Sequence, residues 1–377
     1  MNYLYYCTTP FQTLMAMNLH HNSVLYNENE EVQASLILVD IFNQANSLYK
    51  NLKAEKRFDY VYLLEEEDRK TQRKKLRKAT GIFYDVIFPE RLLKQQFRRT
   101  SVNFLKKFDV IVSSVFSHTV AALCTINPTS KYIMMDDGVA SYFGDWTKRI
   151  RSKGYMWLLT CRNRGREVYR PSALYVMRAE VCRTELTNNI YQLPEFSPGF
   201  LNTAFKLFDI PDNLNEYKKK IIWLSDVSDN AQKKKDTFKI AEILKRYNNE
   251  VIVRLHPREK EKSIYEIFDV DETNYMWELQ LSRSSVNHKL LITLVSTAAF
   301  TPSLLYNEQP WLLFTYKLLN VPNGSQIEDI VQLVNQLKCI YKDPTHICEP
   351  ESWDEFEMFI KRCLAYENGL ASDGKIK

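Results

Sequence analysis

Short apolar runs alternate with amphipathic stretches along this chain, and the rhythm restarts once. In the first half, residues 3–7, 35–39, 60–64, 85–88, 110–115 and 132–135 read as strands. Several are continuously apolar, as expected of strands covered on both faces. Helical spacing fits between them, at 11–21 and 42–52. In the second half, 221–224, 250–255, 290–295 and 311–315 read as strands, with helices at 237–247 and 327–340. A last helix starts near Ser352, where Trp353, Phe356, Ile360, Cys363 and Leu364 recur at helical spacing. Strand–helix alternation predicts open parallel α/β sheets. Its restart predicts two doubly wound, Rossmann-like domains facing each other across a cleft. Pro211 and turn formers precede Lys218-Lys219-Lys220, which predicts a linker over 208–220. The expected division is an N-terminal domain over 1–207, a C-terminal domain over 221–350, and a helix and frayed tail over 351–377.

A length of 377 residues agrees with two domains, each large enough to bury a core without disulfides. Glycine is scarce: 9 residues in 377, against a usual share of ~7%. Neither G-x-G-x-x-G nor G-x-x-x-x-G-K-[ST] occurs, so dinucleotide-fingerprint and P-loop chemistry are excluded. Aromatic residues at 13% rule out a disordered chain, and a net charge of +5 does not mark a nucleic-acid binder. The seven cysteines are scattered and form no C-x-x-C, so reduced thiols in a cytosolic protein are expected. The first residues lack a basic n-region and a long apolar core, so no signal peptide is expected. No run reaches the ~18 apolar residues of a spanning helix. The expected location is the cytoplasm, with the inner face of the plasma membrane as a peripheral alternative.

Ligands in doubly wound sheets bind at the carboxyl ends of strands, so residues just after strands carry the candidate chemistry. After the first strand, Thr9 fits a helix N-cap, Pro10 the first helical position, and Gln12 the far arm of a capping box. Beyond that structural role, Thr9 and Gln12 are candidate substrate contacts. After 132–135 come Asp136-Asp137-Gly138. A carboxylate desolvated at a strand end is suited to general-base work, and paired acids also suit a divalent metal. No further ligand cluster completes a metal site, so the base is the favoured reading. His256 follows 250–255, and Pro257 ends the strand there. A protonated or donating imidazole at that edge stabilises a departing phosphate, with Arg254 and Arg258 as positive surroundings. Ser296 and Thr297 follow 290–295, where hydroxyls at a helix start cap it and bind anions without a glycine loop. Ser225 after 221–224 is a weaker example.

The order of these elements resembles bacterial sialyltransferases, whose motifs are D/E-D/E-G, H-P and S-S/T. They stand here as Asp136-Asp137-Gly138, His256-Pro257 and Ser296-Thr297. The opening Cys7-Thr8-Thr9-Pro10-Phe11-Gln12 is similar to the C-x-T-P-x-Q start of glycosyltransferase family 52, the lipooligosaccharide sialyltransferases. The resemblance implies a GT-B fold and metal-independent, inverting transfer from CMP-sialic acid to a hydroxyl of a galactose-containing bacterial surface glycan, lipooligosaccharide or capsule. It implies no cofactor. Asp136 becomes the general base, with Asp137 and Gly138 shaping that loop. His256 donates to the CMP phosphate, Pro257 sets its orientation, and Ser296 and Thr297 bind the same phosphate. Strand-end alternation leaves the choice between Asp136 and Asp137 open. Alternatives are another nucleotide-sugar glycosyltransferase, such as a glucosyltransferase, a non-catalytic nucleotide- or sugar-binding protein, and a metal-dependent hydrolase. Expected partners are the CMP-sialic acid donor and an oligosaccharide or glycolipid acceptor, with no nucleic acid. Two weaker expectations are a homodimer and peripheral contact of the basic, aromatic segment 146–170 with anionic membrane or an acidic glycan.

Overall fold

Strands that read as unbroken apolar runs must be buried on both faces, and helices on the two sides of a parallel sheet do this. A computed structural model shows that arrangement twice. It describes residues 1–26, 31–65, 86–97, 107–144, 153–212, 216–226, 231–273, 275–294, 296–319 and 325–373. The chain divides into unit 1, Met1–Pro211, and unit 2, Asp212–Lys377.

Unit 1 holds strands β1 (Asn2–Cys7), β2 (Gln33–Asp40), β3 (Tyr60–Glu65), β4 (Val110–Ser113), β5 (Lys131–Met135), β6 (Phe143–Gly144), β7 (Ala173–Val176), β8 (Arg183–Thr184) and β9 (Ile190–Gln192). Its helices are α1 (Pro10–His21), α2 (Ala45–Glu55), α3 (Pro89–Gln96), α4 (His118–Ile126), α5 (Lys153–Arg162) and α6 (Pro198–Leu207). Seven strands form one sheet in the order β3-β2-β1-β4-β5-β7-β9, and β6 pairs with β8 apart from it. Every pairing is parallel. The order reverses between β1 and β4, the switch point of a doubly wound sheet.

Unit 2 repeats the plan with β10 (Ile221–Leu224), β11 (Val251–Arg254), β12 (Asp269–Asp271), β13 (Leu290–Thr293), β14 (Trp311–Phe314) and β15 (Ile347–Cys348). Its helices are α7 (Ala231–Leu244), α8 (Trp277–Leu281), α9 (Thr301–Tyr306), α10 (Ser325–Ile340) and α11 (Trp353–Asp373). The all-parallel order β12-β11-β10-β13-β14-β15 is again doubly wound, with its reversal between β10 and β13. Both units are therefore Rossmann-like α/β domains of parallel sheet. The last helix is no appendage: Phe356, Phe359, Ile360 and Cys363 of α11 are buried in the core with Trp223, Ile243, Val253 and Trp311.

One expected strand is not one. Over 85–88, Val86 and Ile87 are helical and Asp85 lies outside the described residues. Ile87 and Phe88 are 46% and 48% exposed, so this short apolar run has no sheet to join, and Pro89 starts α3 at its first position. The helix expected at 237–247 starts earlier, at Ala231, and gives way to a 3-10 stretch at Lys245–Glu250. Residues 213–215 of the expected linker and 145–152 of the basic segment lie outside the described residues.

Phe356 is fully buried, and its removal leaves a cavity where α11 meets the sheet. Phe356→Ala is expected to destabilise unit 2 by about 3–5 kcal/mol. Tryptophan fluorescence during denaturant unfolding checks this, since Trp223, Trp277, Trp311 and Trp353 all belong to unit 2.

Candidate functional site

In unit 1 the chemistry lies where β1, β4 and β5 end. Asp136 follows β5 directly and is fully buried. The Gly138 N–H donates to its Oδ1 at 2.6 Å. The Tyr142 hydroxyl and the Met177 N–H donate to its Oδ2 at 2.8 and 2.9 Å. Its backbone carbonyl accepts from Ser114 Oγ at 3.0 Å. Burial raises the Asp136 carboxyl to about 6, against the pull of its three donors. Both oxygens are thus spent inside the fold, holding the ends of β4, β5 and β7 together. Gly138 makes the turn possible: at φ 90° and ψ −155° it occupies a region open to little but glycine.

Asp137 is partly exposed. Its N–H donates to Ser141 Oγ at 2.9 Å, and its Oδ1 accepts from Gln12 Nε2 at 2.7 Å. Its Oδ2 has no hydrogen-bond partner among the described residues. Burial pushes this carboxyl up to about 6 as well, and the Gln12 amide pulls it down. Of the two acids, only Asp137 keeps an oxygen with no hydrogen-bond partner at a partly exposed position.

Thr9 caps α1, its Oγ1 accepting from the Gln12 N–H at 3.1 Å, with Pro10 at the first helical position. The capping box is not closed in the usual way. Gln12 is 1% exposed, and its Oε1 accepts from the N–H and hydroxyl of Thr8 at 2.7 and 2.9 Å. The two Thr8 donors fix the amide so that its NH₂ faces Asp137. Gln12 is therefore a positioning residue, and Thr9 a cap.

In unit 2, β10, β11 and β13 end side by side, and side chains lace these ends together. Ser225, 4% exposed, accepts the His256 N–H on its Oγ at 2.8 Å. Asp226 accepts the Leu294 N–H at 3.1 Å. Arg254, the last residue of β11, does not surround His256 with free charge. Its Nη1 donates to Asp271 Oδ2 at 2.6 Å, Tyr217 at 2.8 Å and Gln280 at 2.5 Å, and its other amino group donates to the Tyr275 carbonyl. Burial pushes the Asp271 carboxyl up, but Arg254, Thr273 and Tyr217 outweigh it and hold it below the usual range.

The half-buried His256 ring accepts the Arg258 N–H on Nδ1 at 3.1 Å. Burial and the Arg258 charge lower its pKa, so at neutral pH the ring is uncharged. With Nδ1 accepting, the proton sits on Nε2, which makes Nε2–H a donor. Pro257 stands next to His256, beyond the end of β11.

Ser296 caps a single 3-10 turn, Thr297–Ala299, its Oγ accepting from the Ala298 N–H at 3.3 Å. The helix beyond, α9, has six residues, so a strong helix-terminal field is not what this turn offers. It offers hydroxyls: Thr297 is exposed, its hydroxyl has no partner among the described residues, and Ser296 keeps its own proton to donate. Trp277 Nε1–H donates to the Ala298 carbonyl at 2.8 Å and its ring lies 5.2 Å from the Arg254 guanidinium, fixing the turn against the buried ion pair. Glu278 beside it is half-buried, and burial raises its carboxyl above the ordinary value. Sequence reasoning missed Tyr142, Trp277 and Glu278. Their partners lie in other elements, and no local spacing marks them.

No family model matches the chain, and no curated protein matches it. Solved structures do. A sialyltransferase from Photobacterium damselae is 12% identical, with 89% of this chain and 97% of that one covered and a TM-score of 0.48. The glycosyltransferase VinC in complex with dTDP is 8% identical, with 97% and 91% covered and a TM-score of 0.48. A UDP-N-acetylglucosamine 2-epimerase is 13% identical, with 98% and 97% covered and a TM-score of 0.44.

The two acids differ in what their loss does to the fold. Asp136→Ala strands three buried donors and is expected to lower stability by about 2–4 kcal/mol. Asp137→Ala loses one bond at a partly exposed position and is expected to cost less than about 1.5 kcal/mol. Parallel thermal melts of the two variants and the parent check this.

Proposed function

We propose that the protein is a glycosyltransferase of GT-B type that uses a nucleotide-activated sugar. The donor phosphate binds in unit 2, and the acceptor hydroxyl binds in unit 1. The observation that carries this reading is the make-up of the two switch points. Unit 2 presents uncharged donors without a glycine loop, namely His256 Nε2–H and the hydroxyls of Ser296 and Thr297. Unit 1 presents one carboxylate with a free oxygen, Asp137.

The chemistry follows from these groups. Asp137 takes the proton of the acceptor hydroxyl as its oxygen attacks the anomeric carbon. The bond from that carbon to the donor phosphate breaks with inversion. The phosphate leaves as an anion, stabilised by His256 Nε2–H, Ser296 and Thr297, and needs no proton of its own. Asp136, assigned the base by resemblance, serves here as the buried anchor of the loop. Glu278 is suited to accept hydrogen bonds from hydroxyl or amino groups of the nucleoside. The finer reading is a sialyltransferase using CMP-sialic acid without a metal, supported by the order Asp-Asp-Gly, His-Pro, Ser-Thr along the sequence.

Thermal-shift screening with CMP, CDP, UDP and GDP tests the donor. CMP is expected to raise the melting temperature, by a stabilisation of about 2.7 kcal/mol at a hundred times its Kd. Stabilisation by UDP alone overturns the sialyl reading and leaves the transferase. No stabilisation by any nucleotide overturns both.

Asp137→Asn is expected to cut turnover by roughly 10²–10⁴-fold while CMP still binds. A carboxyl raised to about 6 is protonated below that pH, so kcat/KM should fall as pH drops through 6. Gln12 lowers this pKa, so Gln12→Leu should move the acid limb to higher pH. Transfer assays with excess donor across the acid range check both.

A further inference from the structure

Helix α5 has a buried and an open side. Tyr155 and Leu159 are 3% and 1% exposed and pack it onto unit 1. His118 and Tyr155 are joined at 3.2 Å, and Asn163 Nδ2 donates to Thr125 Oγ1 at 3.2 Å, so α5 lies along α4. The opposite side carries Lys153, Trp157 and Cys161, all exposed, while Arg162, exposed at the helix end, stands in line with Tyr155 and Leu159. Trp157 is 68% exposed, more than any other large hydrophobic residue described, and its indole N–H has no partner among the described residues. Met156 and Leu158 flank it half-buried.

The charge of this stretch of sequence is of one sign. Residues 146–166 contain seven lysines and arginines and no acid. Some of the local cations are committed. Arg166 donates to the carbonyls of Pro128 and Ser130, and Arg170 pairs with Glu167 at 2.8 Å. Lys153, Arg162 and Arg164 are exposed and make no ion pair among the described residues.

We propose that the open side of α5 docks unit 1 on an anionic phospholipid bilayer, with Trp157 at the interface and Lys153 and the exposed Arg164 just beyond the helix on the headgroups. Charge complementarity selects an anionic partner. The tryptophan selects a bilayer over a soluble polyanion: a headgroup layer receives both an indole ring and its N–H, whereas a polyanion in water offers the ring nothing apolar. Among the described residues no helix is long and apolar enough to cross a membrane. The contact is independent of the transfer reaction proposed above.

Co-sedimentation of the full chain with vesicles tests this. Vesicles of phosphatidylcholine mixed with phosphatidylglycerol should bind the protein at low salt and release it at high salt, and pure phosphatidylcholine should not bind it. Trp157→Ser and the pair Lys153→Glu/Arg164→Glu should each weaken partitioning roughly tenfold or more. Lys206→Glu, an exposed charge on α6, should not change it. Unchanged melting temperatures in all variants keep loss of fold from imitating loss of docking. The proposal is overturned if mixed vesicles bind no better than neutral ones, or if binding survives both α5 variants. It is also overturned if the chain binds dextran sulfate but not vesicles. Loss of a dimer in Trp157→Ser with no vesicle binding would make this side a contact between copies instead.

Discussion

The carboxylate of Asp136 sits where water cannot reach it, and a charge there survives only if the fold supplies enough donors. Three donors come from three places: the Gly138 and Met177 backbones and the Tyr142 hydroxyl. That requirement shapes the rest of unit 1's carboxyl edge. Gly138 must take a backbone conformation that other residues resist so that its N–H turns inward. Met177, just beyond β7, must lie against the end of β5. Asp137 is then turned the other way, toward Gln12. The acid that offers a free oxygen is aimed by the acid that offers none.

Unit 2 solves the same problem with the opposite charge. Arg254 stands at the end of β11, its side chain largely buried, and Asp271, Tyr217, Gln280 and a carbonyl absorb its donors. A buried pair of this kind costs much desolvation and adds little net stability, but it defines where the strand stops. Two residues later His256 emerges with its tautomer set by a backbone N–H. Trp277 spans from the guanidinium to the Ala298 carbonyl, so strand end and hydroxyl turn share one brace. Each unit thus uses a buried, multiply hydrogen-bonded ion to hold a polar group with a free site steady.

Much of this fold was legible in the sequence, for a physical reason. Runs such as 3–7, 35–39 and 221–224 are apolar throughout because both their faces are covered, and such runs stand out. The short outer strands did not. Asp269–Asp271 carries two acids, and Ile190–Gln192 is largely solvent-facing, so neither shows a burial pattern. The run at 85–88 misled because a few apolar residues before a proline fit a strand and a helix approach equally well. At the site, the residue types and their strand-end positions could be read, but their division of labour could not. Gln12 and Asp137 are 125 residues apart in sequence and 2.7 Å apart in space. Nothing local distinguishes the acid with three donors from the acid with one.

The placement of α11 bears on the order in which the chain acquires structure. Every strand of unit 1's main sheet is made from residues before Pro211, so that sheet can close while later residues are still being added by the ribosome. Unit 2 has no such head start. Its core includes Phe356, Phe359, Ile360 and Cys363, so Trp223 and Trp311 wait for residues beyond 355 to be synthesised before their apolar faces are covered. Until then the apolar faces of β10 and β14 lack the cover that α11 provides.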